Sequence, residues 1–250
     1  MRIAVLSDIH GNLDALQEVV KDIDSQNIDK VFICGDLAMA GPEPVETIDF
    51  IIDLSKKWNL TIIQGNTDEM IIKSTGSPDD KYTPPNEIMA NSLKYAQKVL
   101  RPDQKEFLYE LPETLKETIG NLEILFVHGS PRRNNEDIFP NMDIEKVKEI
   151  INGVDANAIF CGHTHMPASY HIGKQEIINV GSVGRPFTEL PKACYAILDY
   201  PDLSGTKYSF NYRLVDYDYE ASAKKLAQQP FTGSDKLAQM LIKATSRYPE

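Results

Sequence analysis

The residues in this sequence best equipped for chemistry are four histidines, three carboxylate and amide side chains, and the glycines beside them. Cys161-Gly162-His163-Thr164-His165 places two imidazoles one residue apart after an apolar run. Asp8-Ile9-His10, Gly35-Asp36, Gly65-Asn66 and His128-Gly129 sit in the same position, each just past an apolar stretch. Of the five histidines in the chain, only His171 falls outside this pattern. Imidazole, carboxylate and amide oxygens without thiolate form a donor set for divalent transition metals, favouring manganese or iron, with zinc also compatible. Asp36 has two carboxylate oxygens and is suited to bridge two ions. A pair of ions clamps the attacking and leaving oxygens of a displacement at phosphorus, and a bound ion supplies hydroxide near neutral pH. No protein nucleophile is then needed.

These residues must be brought together by the elements that carry them. Arg2 to Leu6, Val31 to Cys34, Leu60 to Ile63, Leu122 to Val127 and Ala158 to Cys161 read as short buried strands. Leu13, Leu16, Val20 and Ile23 recur at helical spacing after Asn12, and a second helix opens at Pro42 or Pro44. This β-α-β-α-β rhythm predicts an α/β fold with helices on both faces, and ligands in such folds bind beyond the carboxyl ends of the strands. From about residue 68 to 119 the rhythm breaks. Ser77-Pro78-Asp79-Asp80 and Pro84-Pro85 are loop signals, and Ile88 to Leu100 and Pro102 to Leu111 are helical, so the segment reads as a helical insertion. A helix is expected from Asp143 to Ile151. Ser169 to Ile172 with Glu176 to Val180, and Cys194 to Asp199 with Lys207 to Leu214, read as hairpins, and two amphipathic helices follow at about 220–228 and 235–245.

Composition bounds the function. The chain of 250 residues is long enough for one domain with a sizeable core. A net charge of -11 argues against a broad nucleic-acid or anionic-membrane surface. Cys34, Cys161 and Cys194 are an odd set without paired spacing, as in buried thiols of a reducing compartment. The N-terminal apolar run is too short for a signal peptide and no stretch approaches a membrane span, so a cytoplasmic location is expected. Oligomeric state is not legible.

In order and spacing, Asp8-x-His10, Gly35-Asp36, Gly65-Asn66, His128-Gly129 and Gly162-His163-Thr164-His165 resemble the motif series of the calcineurin-like metallophosphoesterases. The resemblance runs from residue 1 to about 200. With Asn179-Val180-Gly181-Ser182-Val183-Gly184 late in the chain, it is similar to the compact prokaryotic branch of phosphodiesterases and phosphatases. It implies a two-sheet β-sandwich core flanked by helices, forming one domain over 1–250 with a C-terminal hairpin and helices at about 194–250. It also implies one metal held by Asp8, His10, Asp36 and His165 and another by Asp36, Asn66, His128 and His163. Asp36, Asn66 and His128 would be the catalytic core, acting on a small phosphoester, nucleotides included.

One position departs from the family. Many members carry a histidine after the motif asparagine, where this chain has Thr67. Threonine is no general acid near neutral pH, which favours substrates whose leaving groups need little protonation. The same feature motivates an alternative, a metal-binding scaffold or regulatory module with little turnover. Asp68 suits support of a neighbouring histidine. Arg132, Arg133 and Arg185 follow site-facing loops and match phosphate geometry, although solvated loop charges would look the same. Asn12 reads either as a helix cap or as a phosphate contact, and Asn66 either as a cap or as a ligand.

Overall fold

The computed structural model describes residues 1–77 and 79–247. Pro78 of the expected Ser77–Asp80 loop, and the last three residues, lie outside them. Two five-stranded mixed sheets face each other. The first has the order β10-β9-β1-β2-β3, built from β1 (Arg2–Leu6), β2 (Lys30–Ile33), β3 (Leu60–Ile62), β9 (Ala193–Asp199) and β10 (Ser209–Val215). The second has the order β4-β5-β6-β8-β7, built from β4 (Leu115–Ile119), β5 (Leu122–Phe126), β6 (Ala158–Cys161), β7 (Ala168–Ile172) and β8 (Gln175–Asn179). This is the α/β architecture with a sandwich core that the strand pattern and the resemblance imply.

Alternation along β1 shows how the sequence specifies the layers. Ile3 and Val5 point between the sheets and join Phe32, Phe126, Phe160 and Leu198 in the inter-sheet core. Ala4 and Leu6 point the other way, into a second core under the helices. Buried on both faces, β1 is apolar from Ile3 to Leu6. The rings of Phe32 and Phe126 stack across the sandwich at 3.9 Å between centroids, an arrangement worth about 0.5–1.5 kcal/mol beyond burial alone. Outside the second sheet, Val147 and Ile150 of α6 (Ile144–Ile150) cover Ile159 and Ile177.

Helices α1 (Leu13–Asp24) and α2 (Pro44–Ser55) connect the parallel strands, Pro44 occupying the first turn of α2. Asn12 caps α1, its Oδ1 accepting from Ala15 N. Helices α3 (Asn66–Lys73), α4 (Glu87–Val99) and α5 (Pro102–Glu110) contribute Ile71, Leu93, Ala96 and Leu108 to the core shared with α1 and α2. The expected helical insertion therefore ends sooner than residue 119. Leu115–Ile119 is β4, antiparallel to β5 through the turn at Gly120-Asn121. Leu115, Glu117 and Ile119 alternate with Lys116 and Thr118, a period-2 pattern, and a two-residue turn containing glycine favours a hairpin.

The late strands part company. β7 and β8 complete the second sheet, whereas β9 crosses to the first and pairs antiparallel with β1, Ala4 opposite Ile197. Helices α7 (Tyr219–Ala227) and α8 (Ser234–Lys243) then pack on the core beneath α1 and α4. Among the described residues no helix is long and apolar enough to cross a membrane.

Candidate metal centre

All five motif fragments lie where strands of the two sheets end. Asp8 and His10 follow β1, Asp36 follows β2, Asn66 follows β3, His128 follows β5, and His163 and His165 follow β6. Backbone bonds stitch the loops together: Asp8 N donates to Gly35 O, His10 N to Asp36 O, and Gly162 N to His128 O. The loops approach so closely that side chains would not fit. A Cβ on Gly162 would lie 2.0 Å from Ser7 Oγ, and one on Gly65 2.2 Å from Asp36 Oδ1.

Asp8, His10, Asp36 and His165 are buried, and each contributes an atom to a set lying within 4.8 Å of one another. His128 stands beside them, its Nε2 3.4 Å from Asp36 Oδ1 and 2.9 Å from Asn66 Oδ1. Asp36 faces both sides, because its Oδ2 lies 3.5 Å from His10 Nε2. His163 sits at the rim, with 18% of its side chain exposed, and its ring packs edge-on against His128 at 5.3 Å. Asp8, His10, Asp36, His163 and His165 all take positive φ, which non-glycine residues adopt at a cost of order 1–3 kcal/mol. That strain brings Asp8, His10, Asp36 and His165 into one buried cluster, with His163 at its rim.

The donor and acceptor pattern tests whether these residues fit a cation. His10 Nδ1 lies 2.7 Å from Met39 O, His128 Nδ1 2.6 Å from Cys34 O, and His165 Nδ1 2.6 Å from Arg185 O. A carbonyl only accepts, so each Nδ1 carries a proton, and each ring, when neutral, turns the lone pair of Nε2 toward the site. The Nε2 atoms of His10 and His165 face each other at 3.0 Å. His128 Nε2 faces only oxygens, and buried Asp8 Oδ1 has no hydrogen-bond donor. Acceptors turned toward acceptors in a buried site require a positive charge between them. The residues fit divalent metal.

The electrostatics agree. Burial opposes ionisation of Asp8 and Asp36, but the surrounding imidazoles outweigh it and hold both carboxyls well below the usual range. Burial also opposes charge on His128, yet Asp36 and Asp8 outweigh it and push the imidazole up to about 10, so a proton on Nε2 supplies positive charge at this position wherever a metal ion does not. Burial brings His165 down to about 4. Asp68 is pushed up to about 6 by burial and by the Asp36 carboxylate. It accepts from the backbone N–H groups of Asp36, Leu37 and Gly65, so it supports the Asp36 loop and not a histidine. Burial pushes the Cys34 and Cys161 thiols up, which keeps them protonated and outside the donor set.

Asn66 is the first residue of α3, with its side chain on His128, so its amide turns to the site and Asp68 closes the helix turn. Thr67 N donates to Asp36 Oδ1, and Thr67 Oγ1 is buried without a hydrogen-bond partner. The candidate substrate contacts separate. Asn12 is fully buried and committed to the scaffold, its Nδ2 donating to Gly184 O while its Oδ1 caps α1. Arg132 and Arg133 both bond Glu136, which holds that carboxyl down at about 2, and with His128 and Asn134 they line a cavity of about 100 Å³. Arg185 lies beside the cluster, its guanidinium 5.3 Å from the Phe187 ring centre and its Nη1 3.8 Å from Met89 Sδ on α4. Phe187 itself stacks on His165 at 4.3 Å. Sequence reasoning passed over Phe187; its position after Arg185-Pro186 in a glycine-led turn was the available signal.

Residues 1–202 match the model of the calcineurin-like phosphoesterase superfamily domain, and the chain belongs to that family. It is 31% identical over 243 residues to an uncharacterized protein of Methanocaldococcus jannaschii, covering 90% of this chain and 92% of that protein. The crystal structure of a hypothetical protein from Pyrococcus horikoshii OT3 superposes with a TM-score of 0.84 at 26% identity, over 97% of this chain and 98% of that one. A metallophosphoesterase from Sphaerobacter thermophilus shares the fold, with a TM-score of 0.76 at 24% identity over 98% and 100% of the two chains.

Proposed function

We propose that this protein is a two-metal phosphoesterase that hydrolyses phosphomonoester or phosphodiester bonds of a small substrate, with nucleotides the favoured class. The observation that carries the reading is the convergence of the Nε2 atoms of His10, His128 and His165 on the carboxylates of Asp8 and Asp36, each ring oriented by a backbone carbonyl at its Nδ1. Asp8, His10, Asp36 and His165 would hold one ion, and Asp36, Asn66, His128 and His163 the other. Asp36 suits the shared position because its two oxygens address His10 and His128 separately. The mixed nitrogen and oxygen donors favour manganese or iron, with zinc compatible. Bound there, divalent ions supply Lewis-acid activation of water and neutralise charge on the phosphoryl oxygens.

The chain's own residues position the reaction. Carbonyls of Met39, Cys34 and Arg185 fix which nitrogen of each imidazole faces the site. The Arg185 guanidinium, beside Phe187 and Met89, and those of Arg132 and Arg133, both bonded to Glu136, would contact a substrate phosphate. The acidic balance of the chain disfavours long nucleic-acid substrates. Thr67 offers no titrating proton for a leaving group, so aryl and nucleotide esters should outpace simple alkyl monoesters.

The test is hydrolysis of bis-p-nitrophenyl phosphate, p-nitrophenyl phosphate and a nucleotide panel by manganese-supplemented protein. Turnover dependent on added metal is expected. Faster cleavage of duplex or single-stranded nucleic acid would overturn the small-substrate reading. No hydrolysis with two ions bound would favour the second reading, a metal-binding scaffold, which the buried hydroxyl of Thr67 motivates.

A further inference from the structure

His163 is oriented differently from the other three histidines of the centre. His10, His128 and His165 each direct Nδ1 at a backbone carbonyl and keep Nε2 for the site. In His163 it is Nε2 that lies near a carboxylate, Asp137 Oδ1 at 3.4 Å, an ion-pair approach and not a hydrogen bond. The His163 main chain is pinned as well, since its N–H donates to Asp8 Oδ2 at 2.9 Å and its φ is 69°. With Nε2 turned toward the Ser130–Asp137 loop, Nδ1 is the nitrogen left for the centre. Asp137 is exposed and lies beside Glu136, which gathers Arg132 and Arg133.

We propose that Asp137 is a positioning residue for the second metal: closing from its ion-pair distance, it accepts the Nε2–H of His163 and fixes the ring so that Nδ1 is the ligating atom. This rests on the two-ion reading above. A carboxylate behind a ligating imidazole raises the basicity of the ring, and loss of such a partner typically lowers metal affinity by about 10–100-fold. Backbone carbonyls behind the other three rings cannot be removed by substitution. Asp137 is thus the one orienting group of the four that a side-chain change can delete. It also links ion occupancy to the loop carrying the two arginines.

The experiment is a manganese titration of the full chain by equilibrium dialysis and calorimetry, using manganese(II) alone. Wild type should bind two equivalents. Asp137→Ala should weaken the second by about 10–100-fold and leave the first in place. Asp137→Asn, which keeps an oxygen acceptor without the charge, should fall between them. In a His163→Gln background, Asp137→Ala should cause no further loss. In the zinc-loaded protein, long-range proton–nitrogen spectra should show ligation at Nδ1 of His163 and at Nε2 of the other three. Two equivalents bound by Asp137→Ala with unchanged affinities, or Nε2 ligation at His163, would overturn the role of Asp137 and leave the two-ion reading standing. A single equivalent bound by wild type would instead sink the two-ion reading, and this inference with it.

Discussion

Two clusters of charge sit on the first sheet, and they are built on opposite rules. Around Asp22, near the C-terminal end of α1, every acceptor has a donor. Asp22 Oδ1 accepts from Arg213 Nη2, while Oδ2 accepts from Arg213 Nε and from Tyr195 Oη at 2.7 Å. None of these three residues takes a positive φ. Around Asp8 and Asp36, acceptors face acceptors and five residues are held at positive φ. The first arrangement ties α1 to β9 and β10 and is complete in itself. The second gathers acceptors and strained backbone at one point, which marks a candidate functional site where the Asp22 network marks structure.

Substitutions should divide along that line. The largest effect is expected for Asp36→Asn, which removes the charge addressed by both His10 and His128. Turnover of bis-p-nitrophenyl phosphate should fall by more than the roughly 10–100-fold that losing an outer partner of a ligand costs, and most of the manganese-dependent rise in Tm should vanish. Retained activity would break the two-metal model. Gly162→Ala comes next, since its Cβ would press on Ser7 Oγ and Asp8 Oδ2. Overpacking of this kind costs about 1–3 kcal/mol, and calorimetry should show a lower Tm together with weaker manganese binding. An unchanged Tm would mean that the loops yield to the added methyl group.

Asp22→Ala should lower stability by about 1–2 kcal/mol, because it strands Tyr195 and a partly solvated Arg213, and should leave turnover within about twofold. Loss of activity matching that of the metal ligands would dissolve the distinction between the clusters. The smallest effect is in pH. Bonds from Arg213 hold Asp22 below the usual carboxylate range. A depressed carboxyl contributes above its unfolded value of about 4 and loses that contribution as pH falls through the folded one. The gap in urea midpoint between wild type and Asp22→Ala should therefore be flat from pH 7 to 5 and close below about 4. Manganese-dependent stabilisation should already shrink between pH 7 and 5, as protons compete for the imidazoles. A single pH profile for both would refute the contrast.

The strand ends were the most legible part of the sequence, because an apolar run followed by glycine and a polar residue is a local signal. The meeting of Asp8, Asp36 and His165 could be anticipated from it. Pairings between distant segments could not. Nothing local in Ala193–Asp199 says that it leaves its neighbours β7 and β8 to lie against β1. The strand at Leu115–Ile119 was hidden by two helices before it, although its alternation and the Gly120-Asn121 turn were present. Arg132 and Arg133 looked like phosphate ligands because Glu136, a few positions on, reads as one more loop charge until its side chain is seen between them. Asn12 kept two readings in sequence, and the structure gives its amide to Ala15 and Gly184.

The crossing of β9 to the first sheet has a consequence for synthesis. Until residues 193–199 leave the ribosome, β1 can be flanked by β2 on one side only, and its other edge stays open. The loop bearing Asp8 also waits for Val183 and Gly184, whose N–H groups bond Ser7 O and Asp8 O. The cluster of Asp8, His10, Asp36 and His165 therefore cannot assemble while the first half of the chain stands alone. Long-range pairing of this kind slows folding and exposes strand edges. Truncated chains ending before β9 should aggregate, and the polar cluster around Asp8 takes shape only after most of the protein has been made.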